Sequence, residues 1–128
     1  MEQPSAAMLV IGDELLSGRT HDANMHYLAK ELTEIGINLT EARFIRDDPA
    51  AIVSSIIELS KRFDYLFTSG GIGPTHDDIT TDCVAEAFEK KASIRSDALK
   101  ILQEYYDGKD IELNEARLRM ARIPETAE

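Results

Sequence analysis

Thr68-Ser69-Gly70-Gly71-Ile72-Gly73-Pro74-Thr75-His76-Asp77-Asp78-Ile79-Thr80 joins a short apolar segment, Tyr65-Leu66-Phe67, to a helical pattern that begins near Thr81. Glycines at 70, 71 and 73 let the backbone take positive φ and carry its N–H groups close to a ligand. A helix that follows such a turn points its free N–H groups and positive dipole end back at the loop. Strand, glycine turn and helix start together predict an anion site, most often one for phosphate. Asp77 and Asp78 conflict with a bare phosphate, because their charge repels it. A divalent cation bridging carboxylate and phosphate resolves the conflict, which predicts a Mg²⁺-assisted phosphate or nucleotide site.

Working outward, Ala6-Ala7-Met8-Leu9-Val10-Ile11 is an unbroken apolar run closed by Gly12, the pattern of a strand buried on both faces. A loop over 12–20 follows. Met25, Leu28, Ala29, Leu32 and Ile35 then recur at helical spacing, with Gly36 as the natural stop. The stretch 37–45 predicts a second strand. Asp48-Pro49 predicts a helix start, Asp as cap and Pro in the first turn, with Ile52, Val53, Ile56, Ile57 and Leu59 as its apolar face. A third strand spans 63–67. Beyond the glycine loop come a helix carrying Val84, Ala85, Ala87 and Phe88, an extended Ala92-Ser93-Ile94, and a helix capped by Ser96 or Asp97 and ended by Gly108. A last helix is capped by Asn114, runs through Ala121 and breaks before Pro124. Strands alternating with helices predict parallel βαβ units with right-handed crossovers. Ligands of such sheets bind at the carboxyl ends of the strands. The loops at 12–20 and 69–80 and the pair Asp47-Asp48 all fall at that edge.

The 128 residues predict a single domain, with 43% hydrophobic and 30% charged residues. A net charge of −10 argues against general binding to nucleic acid or anionic membranes, which need basic surfaces. The one cysteine, Cys83, reads as a small buried side chain and excludes a disulfide framework. The apolar run Ala6–Ile11 is far short of the roughly 20 residues that a membrane span needs. A cytoplasmic protein is the expectation. The chain stops soon after Ile123-Pro124, where a doubly wound sheet adds further elements, so a truncated or longer parent protein is expected.

Each motif has a plain structural alternative. The glycine loop lacks the Gly-Lys-Ser/Thr of a Walker A and the spacing of a dinucleotide fingerprint, and a ligand-free turn is its alternative. One of Asp77 and Asp78 can serve the helix start, but Thr80 can too, which leaves an aspartate without a structural duty; Asp78 is the better metal or phosphate-side candidate. His76 suits a hydrogen bond to a base or ribose better than a metal, since His21 and His26 lie on another segment. Asp13 and Glu14, directly after a buried strand, are candidates for ligand contact. Asn24 and Thr20 either contact ligand or cap the first helix, with capping favoured for Thr20. Arg19, Arg43 and Arg46 read as surface cations, and Tyr105-Tyr106 as packing residues. No serine has an identifiable histidine partner for nucleophilic catalysis.

Gly12-Asp13-Glu14-Leu15-Leu16-Ser17-Gly18 with Asn24, Asp47-Asp48 and the glycine–aspartate run from Gly70 to Thr80 resemble the molybdopterin-binding domain of the MoaB/MogA type. More closely they are similar to the amino-terminal domain of competence/damage-inducible CinA proteins, a domain type that also precedes some FAD synthases. Asn114-Glu115-Ala116-Arg117 and Ala121-Arg122-Ile123-Pro124 fit that branch. The resemblance implies a three-layer α/β/α fold with a mostly parallel sheet, assembled as a homo-oligomer, dimer or trimer. It implies that Gly70, Gly71 and Gly73, with Thr75 and Asp77, line a phosphate. Asp78 and Asp47 match the functionally important acids, with catalytic and metal roles, and Asp13, Glu14 and Asn24 match first-loop and first-helix contacts. Members of this fold bind the pterin phosphate, and related members use Mg-ATP. The ligand expected is therefore molybdopterin or an adenine nucleotide, with Mg²⁺ and a link to molybdenum cofactor biosynthesis. Metal-dependent pyrophosphatase action on ADP-ribose-like nucleotides and a non-catalytic regulatory or assembly module are the alternatives.

Overall fold

The computed structural model describes residues 3–74, 78–109 and 114–125. The chain divides into two compact units, Met1–Gly70 and Gly71–Glu128.

In the first unit, β1 (Ser5–Ile11) lies between β2 (Asn38–Ile45) and β3 (Tyr65–Ser69), and both neighbours run parallel to it. Every residue of β1 from Ala6 to Ile11 is buried, which explains its unbroken apolar run. Two helices make the crossovers: α2 (Asn24–Glu34) from β1 to β2, and α3 (Pro49–Arg62) from β2 to β3. The 12–20 loop contains a single helical turn, α1 (Asp13–Leu16), which alternation alone did not disclose. In register, Val10 stands opposite both Phe44 and Ser69, so the three strands end along one edge of the sheet.

Local chemistry fixes the helices. Asp48 caps α3, its Oδ1 accepting the Ala50 N–H at 3.3 Å, while Lys61 and Arg62 sit in the last turn where the dipole favours cations. Ile52, Ile56 and Leu59 bury one face of that helix. α2 closes on Gly36 at φ +84°, with Gly36 N–H donating to Thr33 O and Ile37 N–H to Leu32 O at 2.9 Å, a Schellman closure. Its start differs from expectation. Asp22, not Thr20, holds it: the Asp22 carboxylate accepts from the N–H groups of Asn24 and Met25. Ile35 is 70% exposed rather than part of the apolar row, because it stands past the last helical residue as the C-cap. Arg43 of β2 joins Glu41 and Glu58, each at 3.0 Å, and Arg62 joins the same two carboxylates, a four-membered network tying β2 to α3. Arg43 holds the Glu58 carboxyl below its ordinary range, and the Glu58 hydrogen bond raises the Arg43 guanidinium in turn.

In the second unit, α4 (Thr80–Ala87), β4 (Ala92–Ile94), α5 (Ser96–Asp107) and α6 (Glu115–Leu118) follow in order, then a 3₁₀ turn (Arg119–Ala121) and β5 (Arg122–Pro124). β4 and β5 pair antiparallel, Ser93 opposite Ile123. The last helix therefore ends earlier than expected and hands over to a strand that a three-residue run ending in proline does not announce. Asn114 does cap α6, its Oδ1 accepting the Arg117 N–H at 2.9 Å. α5 starts without a side-chain cap. Ser96 is already helical, and Asp97 is gripped by Arg95, which lowers its pKa. Cys83 is buried, as its helical context predicts. Tyr105 and Tyr106 pack edge to face at 5.3 Å. None of the described helices is long and apolar enough to cross a membrane.

Candidate ligand site

The carboxyl edge of the sheet in the first unit brings four of the expected residues together. Gly12 N–H donates to Ile45 O at 3.0 Å, so the chain leaves β1 tied to the end of β2. One residue further, two aspartates exchange hydrogen bonds with each other's backbone. Asp47 N–H donates to Asp13 Oδ1 at 3.0 Å, and Asp13 N–H donates to Asp47 Oδ2 at 3.2 Å. Arg46 Nε also reaches Asp13 Oδ1 at 3.5 Å, an exposed contact of little weight. Each carboxylate thus commits one oxygen to the interlock and keeps another, Oδ2 of Asp13 and Oδ1 of Asp47. Beside them opens a hollow of about 510 Å³ lined by Asp13, Leu16, Phe44, Arg46, Asp47 and Ala51 among others. Phe44 and Leu16 supply an apolar wall and the aspartates a charged one, the usual mix of a small-molecule site.

Asn24, at the start of α2, sends its Nδ2 to Ser69 Oγ at 2.9 Å, placing it at the end of β3 on the same edge. Gly70 follows with φ +91°, and a Cβ there would stand 2.0 Å from the Ile11 carbonyl oxygen. The position is closed to any side chain. Glu14 folds back instead: its Oε1 would lie 2.7 Å from a Cβ on Gly12.

In the second unit the loop packs on the segment that enters α4. Gly71, at φ +66°, accepts the Thr80 N–H on its carbonyl at 3.0 Å, and a Cβ on it would meet Thr80 Oγ1 at 2.1 Å. A Cβ on Gly73 would meet the Asp78 carboxylate at 2.6 Å. Glycine at 71 is therefore required by the loop's own folding, apart from any ligand, whereas a side chain at 73 would only have to displace the Asp78 carboxylate. Thr80 is 1% exposed and helical, so it does not act as the N-cap; Ile79 occupies that position. Thr75, His76 and Asp77 lie outside the described residues.

Sequence reasoning missed Asp22 and Ser69, which hold Asn24 and its helix, and the pair Asp82–Arg122, 40 residues apart. Asp22 was findable, since an acidic residue just before a helical pattern is a cap signal. The others depend on which strands become neighbours, which spacing does not reveal.

Two carboxylates with spare oxygens suit Mg²⁺, which takes one or two protein carboxylates and completes its shell with water and phosphate. They do not make a closed transition-metal site: among the described residues no three His, Cys, Asp or Glu side chains gather for one.

Residues 7–122 match the family model described as "Probable molybdopterin binding domain". The chain belongs to this family. A CinA-like protein of Kosmotoga olearia is 36% identical over 95% of this chain and 30% of its own length. A probable FAD synthase of Caenorhabditis elegans is 46% identical over 68% of this chain and 17% of its own length. Among solved structures, CinA of Thermoplasma acidophilum superposes with a TM-score of 0.86 at 29% identity, over 98% of this chain and 73% of that one. MoaB of Pyrococcus furiosus, described as a tungsten cofactor synthesizing protein, gives 0.64 at 20% identity over 84% of this chain and 66% of that one, a likeness of fold. This molybdopterin-binding domain thus has the expected α/β architecture, helices around a mostly parallel sheet, and is of the CinA/MoaB type. It spans about half the length or less of curated relatives such as a Metallosphaera sedula protein, 40% identical, of which it covers 47%.

Proposed function

We propose that this domain binds a phosphate-bearing pterin or nucleotide, and that the edge formed by Asp13, Asp47, Asn24 and Gly70 contributes to the ligand site. The observation that carries the reading is the Asp13–Asp47 interlock beside the hollow. Two loops are fixed to each other by their backbones, while one oxygen of each carboxylate is left for a ligand or cation. Leu16 and Phe44 would shield a flat ring from water. Mg²⁺, when bound at these carboxylates, would offset the charge of the phosphate. In the second unit, taken by itself, Gly71, Gly73 and Asp78, with Thr75 and Asp77, are proposed as phosphate-loop residues, Asp78 being that loop's own carboxylate for a cation. Assembly as a dimer or trimer and a cytoplasmic location belong to the same proposal.

Calorimetric titration with AMP, with and without Mg²⁺, tests it. Asp47→Asn keeps an oxygen to accept the Asp13 N–H but loses the charge, so the melting transition should hold while Mg²⁺-dependent affinity falls about tenfold or more, roughly the worth of one charge-assisted contact. Asp78→Asn, measured separately, should behave likewise. Wild-type affinity in Asp47→Asn would remove the cation role.

The likeness to a FAD synthase over 87 residues favours one second reading, pyrophosphate chemistry on a dinucleotide. Release of AMP from ADP-ribose in the presence of Mg²⁺ or Co²⁺ would establish it; binding without turnover would leave simple ligand binding.

A further inference from the structure

In the second unit the start of α4 is held by an unusual anchor. Ile79, at the cap position, has no polar side chain with which to cap the helix. Asp82, in that turn, instead receives Arg122 from β5, with Nη1 on Oδ2 at 3.3 Å and Nη2 on Oδ1. Two parallel N–H···O contacts from one planar guanidinium fix direction as well as distance. Arg122 is itself immobilised: it stands opposite Ile94 in the β4–β5 ladder, and the contacts Arg95 N–H to Ala121 O at 3.0 Å and Glu125 N–H to Lys91 O at 2.8 Å close the ladder on either side. The pair is three-quarters buried on the arginine side, with 25% of the Arg122 side chain exposed against 42% for Asp82. The chain thus forms a closed circuit from α4 through β4 and β5 back to the first turn of α4.

That turn carries the glycine loop. Thr80, two residues before Asp82, binds the Gly71 carbonyl through its N–H, and Asp78 lies against Gly73. We infer that Arg122 is a positioning residue, a strut that sets the first turn of α4 and through it the geometry of the loop Gly71–Pro74 toward a phosphate-bearing ligand. The inference rests on the phosphate-loop reading for its ligand, but the strut itself can be observed without one.

Amide hydrogen exchange by NMR, followed by titration with AMP and Mg²⁺, tests both parts on wild type, Arg122→Lys and Asp82→Asn. Lysine keeps the charge and loses the fork, so the fold should persist. The expected result is exchange of the Thr80 N–H about tenfold faster in both variants, with the Arg95 N–H in the ladder unchanged, since local opening reports on local anchors. AMP affinity should fall in parallel, and the double variant should be no worse than either single one, because the residues act as a unit. Equal acceleration of all amides would mean a merely global role and would overturn the inference, as would an unchanged Thr80 N–H. Faster Thr80 exchange with unaltered AMP affinity would overturn the positioning role. If wild type itself takes no AMP, the ligand reading falls, while Thr80 exchange still decides the strut.

Discussion

The two units solve the same problem of stability with different materials. The first is built around a strand with six consecutive buried residues, Ala6 to Ile11, onto which α3 adds Ile52, Ile56 and Leu59, all at 0–1% exposure. The second buries few large apolar side chains outright; Cys83, Ala85, Ala121 and Thr80 are its fully buried residues among those described, and all are small. Both units carry polar fastening, but with so little burial the second depends on it for a larger share: Arg122 on Asp82, Arg95 on Asp97, the Asn114 cap, and a Schellman closure at Glu89. A small core cannot repay the entropy of ordering a chain by burial alone, so directional contacts carry more of the load. The same kind of mutation therefore has different consequences in the two halves.

Truncation of the core gives the largest contrast. Ile56→Ala, at a fully buried site, should cost about 2–5 kcal/mol, through lost burial and the cavity left behind. Leu102→Ala, on the half-buried face of α5, removes less apolar contact and should cost less than half as much. Urea titrations of both variants measure this. Equal losses would erase the distinction between an apolar half and a polar one.

The contrast also separates what could be read from the chain alone from what could not. The first unit's elements follow from signals of short range: an apolar run for β1, Asp48-Pro49 for the start of α3, Gly36 for the end of α2. All three stand where the residues predict, because burial on both faces, capping and positive φ are properties of a few neighbours. The short turn α1 and the capping role of Asp22 were within reach of the same rules and were obscured by polar residues that fit a loop equally well. In the second unit, β5 and its Arg122 were not legible as structure, since a three-residue strand exists only because Ala92–Ile94 lies beside it. The candidate site shows the same division. Asp13, Asp47 and Gly70 could be assigned to one edge from strand order, whereas Asn24 was read only as a helix-start residue, and the exchange of hydrogen bonds between Asp13 and Asp47 is a property of two loops in register. Gly71 taught something further: its absent side chain leaves room for Thr80 of the same chain, a packing demand that the sequence showed only as the alternative of a ligand-free turn.

A smaller effect sharpens the picture of the second unit as a fastened rather than a filled structure. Glu89 takes φ 56° at the end of α4, where Lys90 N–H donates to Ala85 O at 2.7 Å. Left-handed backbone is strained for a residue with a Cβ, and glycine relieves it at the expense of unfolded-state entropy. Glu89→Gly should raise stability by about 0.5–1 kcal/mol, visible as a higher melting temperature. An unchanged or lower value would show that the Glu89 side chain contributes more than its backbone costs.

The smallest effect expected is acid sensitivity, and both halves should share it. Glu58 in the first unit and Asp97 in the second have their carboxyls held below the ordinary range, by Arg43 and Arg95 respectively. Below the unfolded-state value the unfolded chain binds protons that the folded one still refuses, so stability is complete above that value and is lost as pH falls through the lowered folded-state value. Both groups are exposed, and solvent screening keeps each contribution small. Between neutrality and about pH 5, above ordinary carboxylate values, stability should not change through these groups. Further acidification should lower it, and Arg43→Gln and Arg95→Gln should each flatten that decline. Melting curves across the acid range read the slope directly. If the decline in the Arg43→Gln protein is as steep as in wild type, the β2–α3 network is ornamental at low pH and the first unit stands on its apolar core alone.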